Sequence, residues 1–236
     1  MSSRARILLL TFLGVTALAC ARLGFWQLAR LRERRASNAT AAAARALPVV
    51  DLNAAAGGPL GHRRVQASGE YDFEREMVVR AQSLREQPGV HVVTPLRLDG
   101  RPEAVLVLRG FVPAADAVTA DLGALAEPGP RRVEGVALPL ASGGGLPLER
   151  NGTLTWRRLD LAELRARLPY PVLDVVLVQA PDSSLPRYPR RVEPPPLDDG
   201  PHGSYAIQWF AFGLIAIVVG AVVARRPAVT PRGPPD

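Results

Sequence analysis

His202-Gly-Ser-Tyr-Ala-Ile-Gln-Trp-Phe-Ala-Phe-Gly-Leu-Ile-Ala-Ile-Val-Val-Gly-Ala-Val-Val-Ala224 decides the architecture of this chain. The stretch carries no charge until Arg225 and Arg226 close it. As a helix it is long enough to cross a bilayer, which takes about 20 apolar residues. An ordinary anchor needs only aliphatic side chains. This one opens with a histidine, a tyrosine, a glutamine and a tryptophan, and residues three and four apart share a helix face. His202, Tyr205, Ala206 and Trp209 therefore form one stripe, with Ser204 and Gln208 on the adjacent one.

A second apolar run lies near the N-terminus. Ile7 to Ala21 is uncharged, Arg22 interrupts, and Leu23-Gly-Phe-Trp-Gln-Leu-Ala29 extends it. One reading is a cleaved signal: Arg4 and Arg6, then the apolar run, then Ala-Leu-Ala-Cys20 as a lipoprotein-like site. Ala17 stands there where a larger aliphatic residue is usual. The other reading is an uncleaved membrane helix over Ile7–Leu28, with Arg22 snorkelling and Trp26 in the interfacial aromatic belt. The C-terminal segment already ties the chain to a membrane, which favours the helix.

Arg225 and Arg226 place the C-terminus in the cytoplasm by the positive-inside rule. Two spans then return the N-terminus, with Arg4 and Arg6, to the same side. The cluster Arg30, Arg32, Arg34 and Arg35 falls on the far side and runs against the simple rule. The long intervening segment weakens that count. Antiparallel spans bring Gly24, Trp26 and Gln27 to the depth of His202, and Gly24 and Ala206 permit close helix approach. The apolar run begins at Ile7, so the start is not a transit peptide, and a bacterial source is expected.

With 236 residues, two spans and a tail leave room for one domain of ordinary size. The net charge of +7 is carried by arginine, since the chain has no lysine. With so much Ala, Gly and Pro this reads as coding bias. The arginines are spread without interleaved aromatics, so nucleic-acid binding is not expected. A single cysteine, Cys20, excludes an intramolecular disulfide and a cysteine metal cluster.

The middle reads as β-rich. Short β-like runs bounded by Gly, Pro and Asp cover residues 63–69, 76–82, 90–98, 104–112, 131–138 and 172–179. Val105-Leu-Val-Leu108 is continuously apolar, which predicts a central strand. Leu159–Leu168 has helical spacing, with Asp160 as N-cap and Pro169 just past the end. The expected organisation is a cytoplasmic N-terminus (1–6), a first span (7–28), a fraying helical extension and linker (29–61), a β-rich domain (62–180), a Pro-rich connector (181–201), a second span (202–224) and a disordered cytoplasmic tail (225–236). The fold class is membrane α+β: two antiparallel transmembrane helices flanking one extracytoplasmic β domain with a short helix.

Chemistry is scarce in the middle. Ser142-Gly-Gly-Gly145 lacks the Lys-Ser/Thr of a phosphate loop and reads as a flexible loop. His62 and His91 stand alone, and His91 alternates as a strand residue. Asp198-Asp199 reads as a solvated acidic turn. Asn38-Ala-Thr40 and Asn151-Gly-Thr153 match the glycosylation pattern, which carries little meaning in a bacterial chain. Nothing here argues for an enzyme. At the membrane, an imidazole beside flat aromatics in an apolar setting suits axial ligation of haem iron. The competing reading is an aromatic belt with an interfacial histidine facing headgroups. Composition alone puts the belt reading first; polar residues within a span are costly to leave unpaired, which adds weight to the functional one.

The chain resembles the Surfeit locus protein 1 family of cytochrome c oxidase assembly factors. Leu23-Gly-Phe-Trp-Gln-Leu-Ala-Arg30 is similar to that family's Leu-Gly-x-Trp-Gln-x-x-Arg signature. Gly69-Glu-Tyr71, Gly89-Val-His-Val-Val-Thr-Pro-Leu96 and Val107-Leu-Arg-Gly-Phe-Val-Pro113 follow in the family's order. His202-Gly-Ser-Tyr-Ala-Ile-Gln-Trp-Phe210 is similar to its His-x-x-Tyr-Ala-x-Gln-Trp-Phe motif. Leu108, Phe111 and Gly203 depart from the family's usual residues. The resemblance implies a two-span protein of the cell inner membrane with its middle domain on the periplasmic side. It implies a chaperone-like role in respiratory-chain biogenesis, binding or stabilising haem a for insertion into subunit I. Partners would be subunit I and the haem a synthesis machinery. The haem-ligating histidine carries over to His202. Tyr205, Trp209 and Trp26 would line the porphyrin, and Gln27 and Gln208 would bond its substituents. The alternative is a membrane-anchored scaffold that binds oxidase subunits without a cofactor.

Overall fold

The computed structural model describes residues 2–54, 58–150 and 152–226. The tail beyond Arg226, expected to be disordered, and Asn151 lie outside the described residues. Along the chain run α1 (Ser3–Ala46), β1 (Val50–Asp51), β2 (Arg64–Tyr71), β3 (Met77–Leu84), β4 (Gln87–Leu98), β5 (Ala104–Pro113), β6 (Arg131–Pro139), β7 (Leu148–Arg150), β8 (Thr153–Trp156), α2 (Leu161–Arg167), β9 (Val172–Gln179) and α3 (His202–Arg225). They divide into two compact units, Met1–Ala39 with Leu197–Asp236, and Thr40–Pro196.

The first unit is a helix pair. Within it α1 and α3 are each long and apolar enough to cross a membrane. Most of each apolar window is exposed, as Phe12, Leu18, Phe25, Ile207, Leu214 and Ile217 show. A helix in the core of a soluble protein would bury that face. Pro201 precedes the first turn of α3, and the arginine pair followed in sequence by Pro227 ends it.

The contacts run in opposite directions along the two helices. Leu31 approaches Gly203, Gln27 meets His202, Gly24 meets Phe210, Cys20 meets Gly213 and Leu13 meets Gly220. The α1 members recur at alternating three- and four-residue steps, the seam of an antiparallel pair. Small residues at Gly24, Ala206, Gly213 and Ala216 are buried there, so the backbones approach closely. Cys20 sits mid-helix, buried in this seam.

The second unit is a small β-barrel with extensions. Strands β2, β6, β9, β5 and β4 pair in that order, and β2 also pairs β4, which closes the ring. The long β4 makes this possible. Its first half pairs β3 and its second half pairs β2. Strands β3, β8 and β7 continue outward from β4, and β1 lies parallel beside β2. The six expected strands are present; five start within one residue of the predicted position, and β4 starts three residues earlier, at Gln87 rather than Val90. The three short strands β1, β7 and β8 were not expected. As predicted for Val105–Leu108, β5 is central, held between β4 and β9.

Inward positions alternate along the barrel strands. Val65, Ala67 and Tyr71 of β2, Leu96 and Leu98 of β4, Val105 and Val107 of β5, Val133 and Ala137 of β6, and Val175 and Leu177 of β9 form one buried cluster. Full burial of each Val or Leu contributes about 1.5–3 kcal/mol relative to exposure. A second cluster under α2 joins Met77, Val93, Leu106, Trp156 and Leu164. Asp160 caps α2 as expected, accepting from the N–H groups of Ala162 and Glu163.

Candidate functional site

His202 is the first residue of α3, and Gln27 lies in the α1 seam with 9% of its surface exposed. Their side chains meet, with His202 Nδ1 at 2.9 Å from Gln27 Oε1. An amide oxygen only accepts, so Nδ1 is the donor of this bond and Nε2 is left out of it. Ser204 Oγ and the Tyr205 N–H both bond to Pro201 O, at 2.8 and 3.1 Å. The hydroxyl proton is thereby committed to the helix start.

The helix pair joins only part of the expected set. His202 and Gln27 are bonded. Trp209 is half-buried and stands edge-on to Phe212, ring centroids 6.2 Å apart. Trp26, Tyr205 and Gln208 are exposed on the outer surface of the pair rather than turned between the helices. Trp26 borders a shallow open depression of about 770 Å³ with Arg22, Leu23 and Phe25. The arrangement is thus a single oriented imidazole at a helix start, with aromatics on the neighbouring surfaces.

Three of the four arginines that ran against the charge rule, Arg30, Arg34 and Arg35, have local partners. Arg35 forms a two-pronged contact with Asp199 at 2.7 and 2.9 Å. Arg34 and Asn38 donate to the Asp198 carbonyl at 3.1 and 2.7 Å. Arg30 pairs with Glu33 at 2.7 Å. The hydrogen bond from Arg35, aided by its charge, holds the Asp199 carboxyl below its ordinary value. The acidic turn is therefore paired with α1 as well as solvated.

Sequence reasoning missed the most buried charge among the described residues. The β4–β5 register shifts between Val92 and Val93, so that Val92 opposes Gly110 and Val93 opposes Leu108. Arg109 is the extra residue of that bulge, and a bulge re-aims a side chain. Gly110 has φ +146°, and a Cβ there would collide with the Arg190 carbonyl. Arg109 is fully buried. Its guanidinium donates to Glu76 Oε1 at 2.6 Å and Glu127 Oε1 at 2.7 Å, and also to the Leu125 carbonyl. It stacks 5.2 Å from the Tyr71 ring centroid and 5.4 Å from that of Phe73. Thr94 Oγ1 donates to Glu76 at 2.5 Å, and Arg191 donates to Glu127 at 3.1 Å.

Burial pushes the Glu76 carboxyl above its ordinary value, and Thr94 and Arg109 only partly offset it. Burial pushes Glu127 the same way, but the hydrogen bonds and charges of Arg109 and Arg191 outweigh it and hold that carboxyl low. A sequence signal for this network did exist: an arginine inside the apolar run Val105–Val112, followed by glycine.

Elsewhere the chemistry stays sparse. The Gly143 and Gly144 N–H groups donate to Asp160 Oδ2 at 2.5 and 2.7 Å, so the glycine loop spends its amides on its own chain. His91 is half-buried, edge-on to Phe111 at 6.3 Å, and burial lowers its pKa. Among the described residues, no three His, Cys, Asp or Glu side chains gather as a metal site.

Comparison with known proteins extends over nearly the whole chain. A SURF1-like protein of Monosiga brevicollis is 27% identical over 222 residues, covering 86% of this chain and 83% of the relative. The family model described as SURF1 family matches residues 14–214, from within α1 to within α3. That span includes Gln27, the whole barrel and His202. The chain therefore belongs to the SURF1 family, which is generally linked to cytochrome c oxidase assembly.

Proposed function

We propose that the protein is a non-enzymatic assembly factor of the cell inner membrane that binds or stabilises haem a for insertion into oxidase subunit I. The observation that carries this reading is the His202–Gln27 contact. A haem iron takes a neutral imidazole as axial ligand. Gln27 holds the Nδ1 proton and leaves Nε2 free, which is the arrangement that second-sphere acceptors give to ligating histidines. The residues present fit the group: His202 would hold the iron, and Tyr205 and Trp209 on its stripe would lie along the ring. Bound haem would supply an iron that accepts the imidazole lone pair. The β domain would lie on the periplasmic side, with subunit I and the haem a synthesis machinery as partners.

The test is haem co-purification with the wild type and with His202→Ala. The expected result is a haem spectrum from the wild type that is lost or altered in the variant. Equal haem content with unchanged spectra in both would remove His202 as the ligand.

A second reading is favoured by a different observation. Trp26, Tyr205 and Gln208 face outward, as residues contacting another membrane protein would. On this reading the protein is a scaffold for oxidase subunits. It would purify colourless and still hold a stable complex with the oxidase core.

A further inference from the structure

One end of the barrel carries a pocket of about 400 Å³ that the haem reading does not use. Three side chains in its wall are more than nine-tenths buried: Tyr71, Glu127 and Gln179. Each has a buried polar atom with no hydrogen-bond partner among the described residues, namely Tyr71 Oη, Glu127 Oε2 and Gln179 Oε1. Buried polar atoms are nearly always bonded, so three at one pocket mark a place that an outside group completes. Two of the three only accept, and the tyrosine hydroxyl does both.

The neighbouring arginines do not fill this demand. Arg131 Nε donates to the Glu127 backbone carbonyl, and Arg132 donates to Gln66 Oε1. Glu134 and Asp182 add carboxylates to the lining. An anion would meet the open oxygen of a carboxylate. The complementary group is a cation with several N–H donors, a guanidinium or an ammonium.

A second observation says how that group is presented. Backbone groups of alternate β6 residues face alternate sides. Ala137 exchanges bonds with Arg63 and His62 on the β2 side, whereas the Glu134 carbonyl accepts from Ala180 on the β9 side. Arg132 therefore also faces the β9 side. Strand β9 ends at Gln179, and its register with β6 ends at Gly135. Among the described residues, no strand continues opposite Arg132, and this open edge borders the pocket. Such an edge accepts an added strand.

We propose that the mouth of the barrel binds an extended segment of a partner polypeptide, which pairs along β6 at Arg132 and places an arginine or lysine side chain against Glu127, Gln179 and Tyr71. This interaction is independent of haem. It makes the β domain a reader of basic, strand-forming sequence.

The test uses the full-length protein in detergent and a labelled, capped pentapeptide Val-Thr-Arg-Thr-Val. Matched peptides carry glutamate or norleucine at the centre, and argininamide and inorganic phosphate are titrated alone. The arginine peptide is expected to bind, the glutamate peptide not to bind, and the norleucine peptide and argininamide to be about tenfold weaker or more. Tyr71→Phe and Gln179→Met remove few atoms. They are expected to weaken the arginine peptide about threefold or more while leaving the norleucine peptide and the thermal midpoint unchanged. The proposal is overturned if arginine and norleucine peptides bind equally, if neither variant weakens binding, or if the arginine peptide does not bind. Argininamide binding as well as the peptide would make this a free-amine site, and phosphate competing with the peptide would make it an anion site; either overturns the proposal.

Discussion

Gly24 and Phe210 face one another so closely that a Cβ on Gly24 would stand 2.7 Å from two carbons of the ring. Phe210 also packs edge-on to Phe25, at 5.3 Å between centroids. The ring is thus held on both sides of the α1 seam. Gly24→Ala is expected to destabilise the helix pair by about 1–3 kcal/mol, the usual cost of overpacking. Thermal unfolding in detergent measures it. Phe210→Leu in the same chain should restore part of the loss, and no recovery would mean that the contact is not the cause.

Gln27 offers a finer test of the haem reading than His202. Gln27→Leu keeps the volume and removes the acceptor for Nδ1. Haem affinity is expected to fall about 10–100-fold, the range for losing a second-sphere partner. Titration of haem into the purified variant, followed by its absorption spectrum, gives the number. Unchanged affinity and spectrum would show that the bond to His202 has no bearing on ligation.

Arg109 stands fully buried between two carboxylates. Arg109→Met leaves Glu76 to Thr94 and Glu127 to Arg191 without the buried charge between them and is expected to cost about 3–5 kcal/mol. Lysine should recover little, since one ammonium cannot reproduce the fork. Adding Glu76→Leu to Arg109→Met should recover part of the loss by removing one buried carboxylate. Chemical denaturation of the three proteins ranks them, and a mild effect in the single variant would contradict the burial seen here.

The N–H groups of Glu163, Gly144, Gly143 and Ala162 hold the Asp160 carboxyl below its ordinary value, against burial. A carboxyl lowered in the folded state contributes stability above its unfolded value. That contribution disappears as pH falls through the folded value. The gap in unfolding midpoint between wild type and Asp160→Asn should therefore be largest above the unfolded carboxylate value and narrow as pH falls through the lowered folded one. A gap that widens on acidification would reverse the assigned sign.

Much of this architecture could be read from sequence because it rests on local pattern. The two apolar helices follow from unbroken runs, and β2, β4, β5, β6 and β9 from alternation or continuous apolarity between turn residues. Asp160 was recognisable because a cap acts within three residues. What escaped was set by distance along the chain. The glycine loop is quenched by Asp160 from sixteen and seventeen residues away. Thr153–Trp156 is too short to show a period, and it becomes a strand by pairing with Met77–Val79 on one side and Leu148–Arg150 on the other. At the candidate site, shared depth did bring His202 to Gln27. Depth alone did not say which way Trp26, Tyr205 and Gln208 turn around their helices. Arg109 was quoted as part of a motif, yet its partners lie 33 and 18 residues away and its burial depends on a bulge.

The position of β9 bears on how the protein is made. It is the last strand of the second unit to leave the ribosome, and it inserts between β5 and β6, both synthesised much earlier. Until Val172–Gln179 emerges, β5 and β6 each wait with an exposed edge, the kind of edge that pairs with the wrong neighbour. Closure also depends on contacts far apart in the chain, which form slowly. Only a short stretch of sequence then separates the completed barrel from the second apolar helix. A nascent chain of this protein is therefore most open to misassembly just before its last strand arrives, and a stop codon anywhere upstream of Val172 removes the strand that closes the ring together with α3.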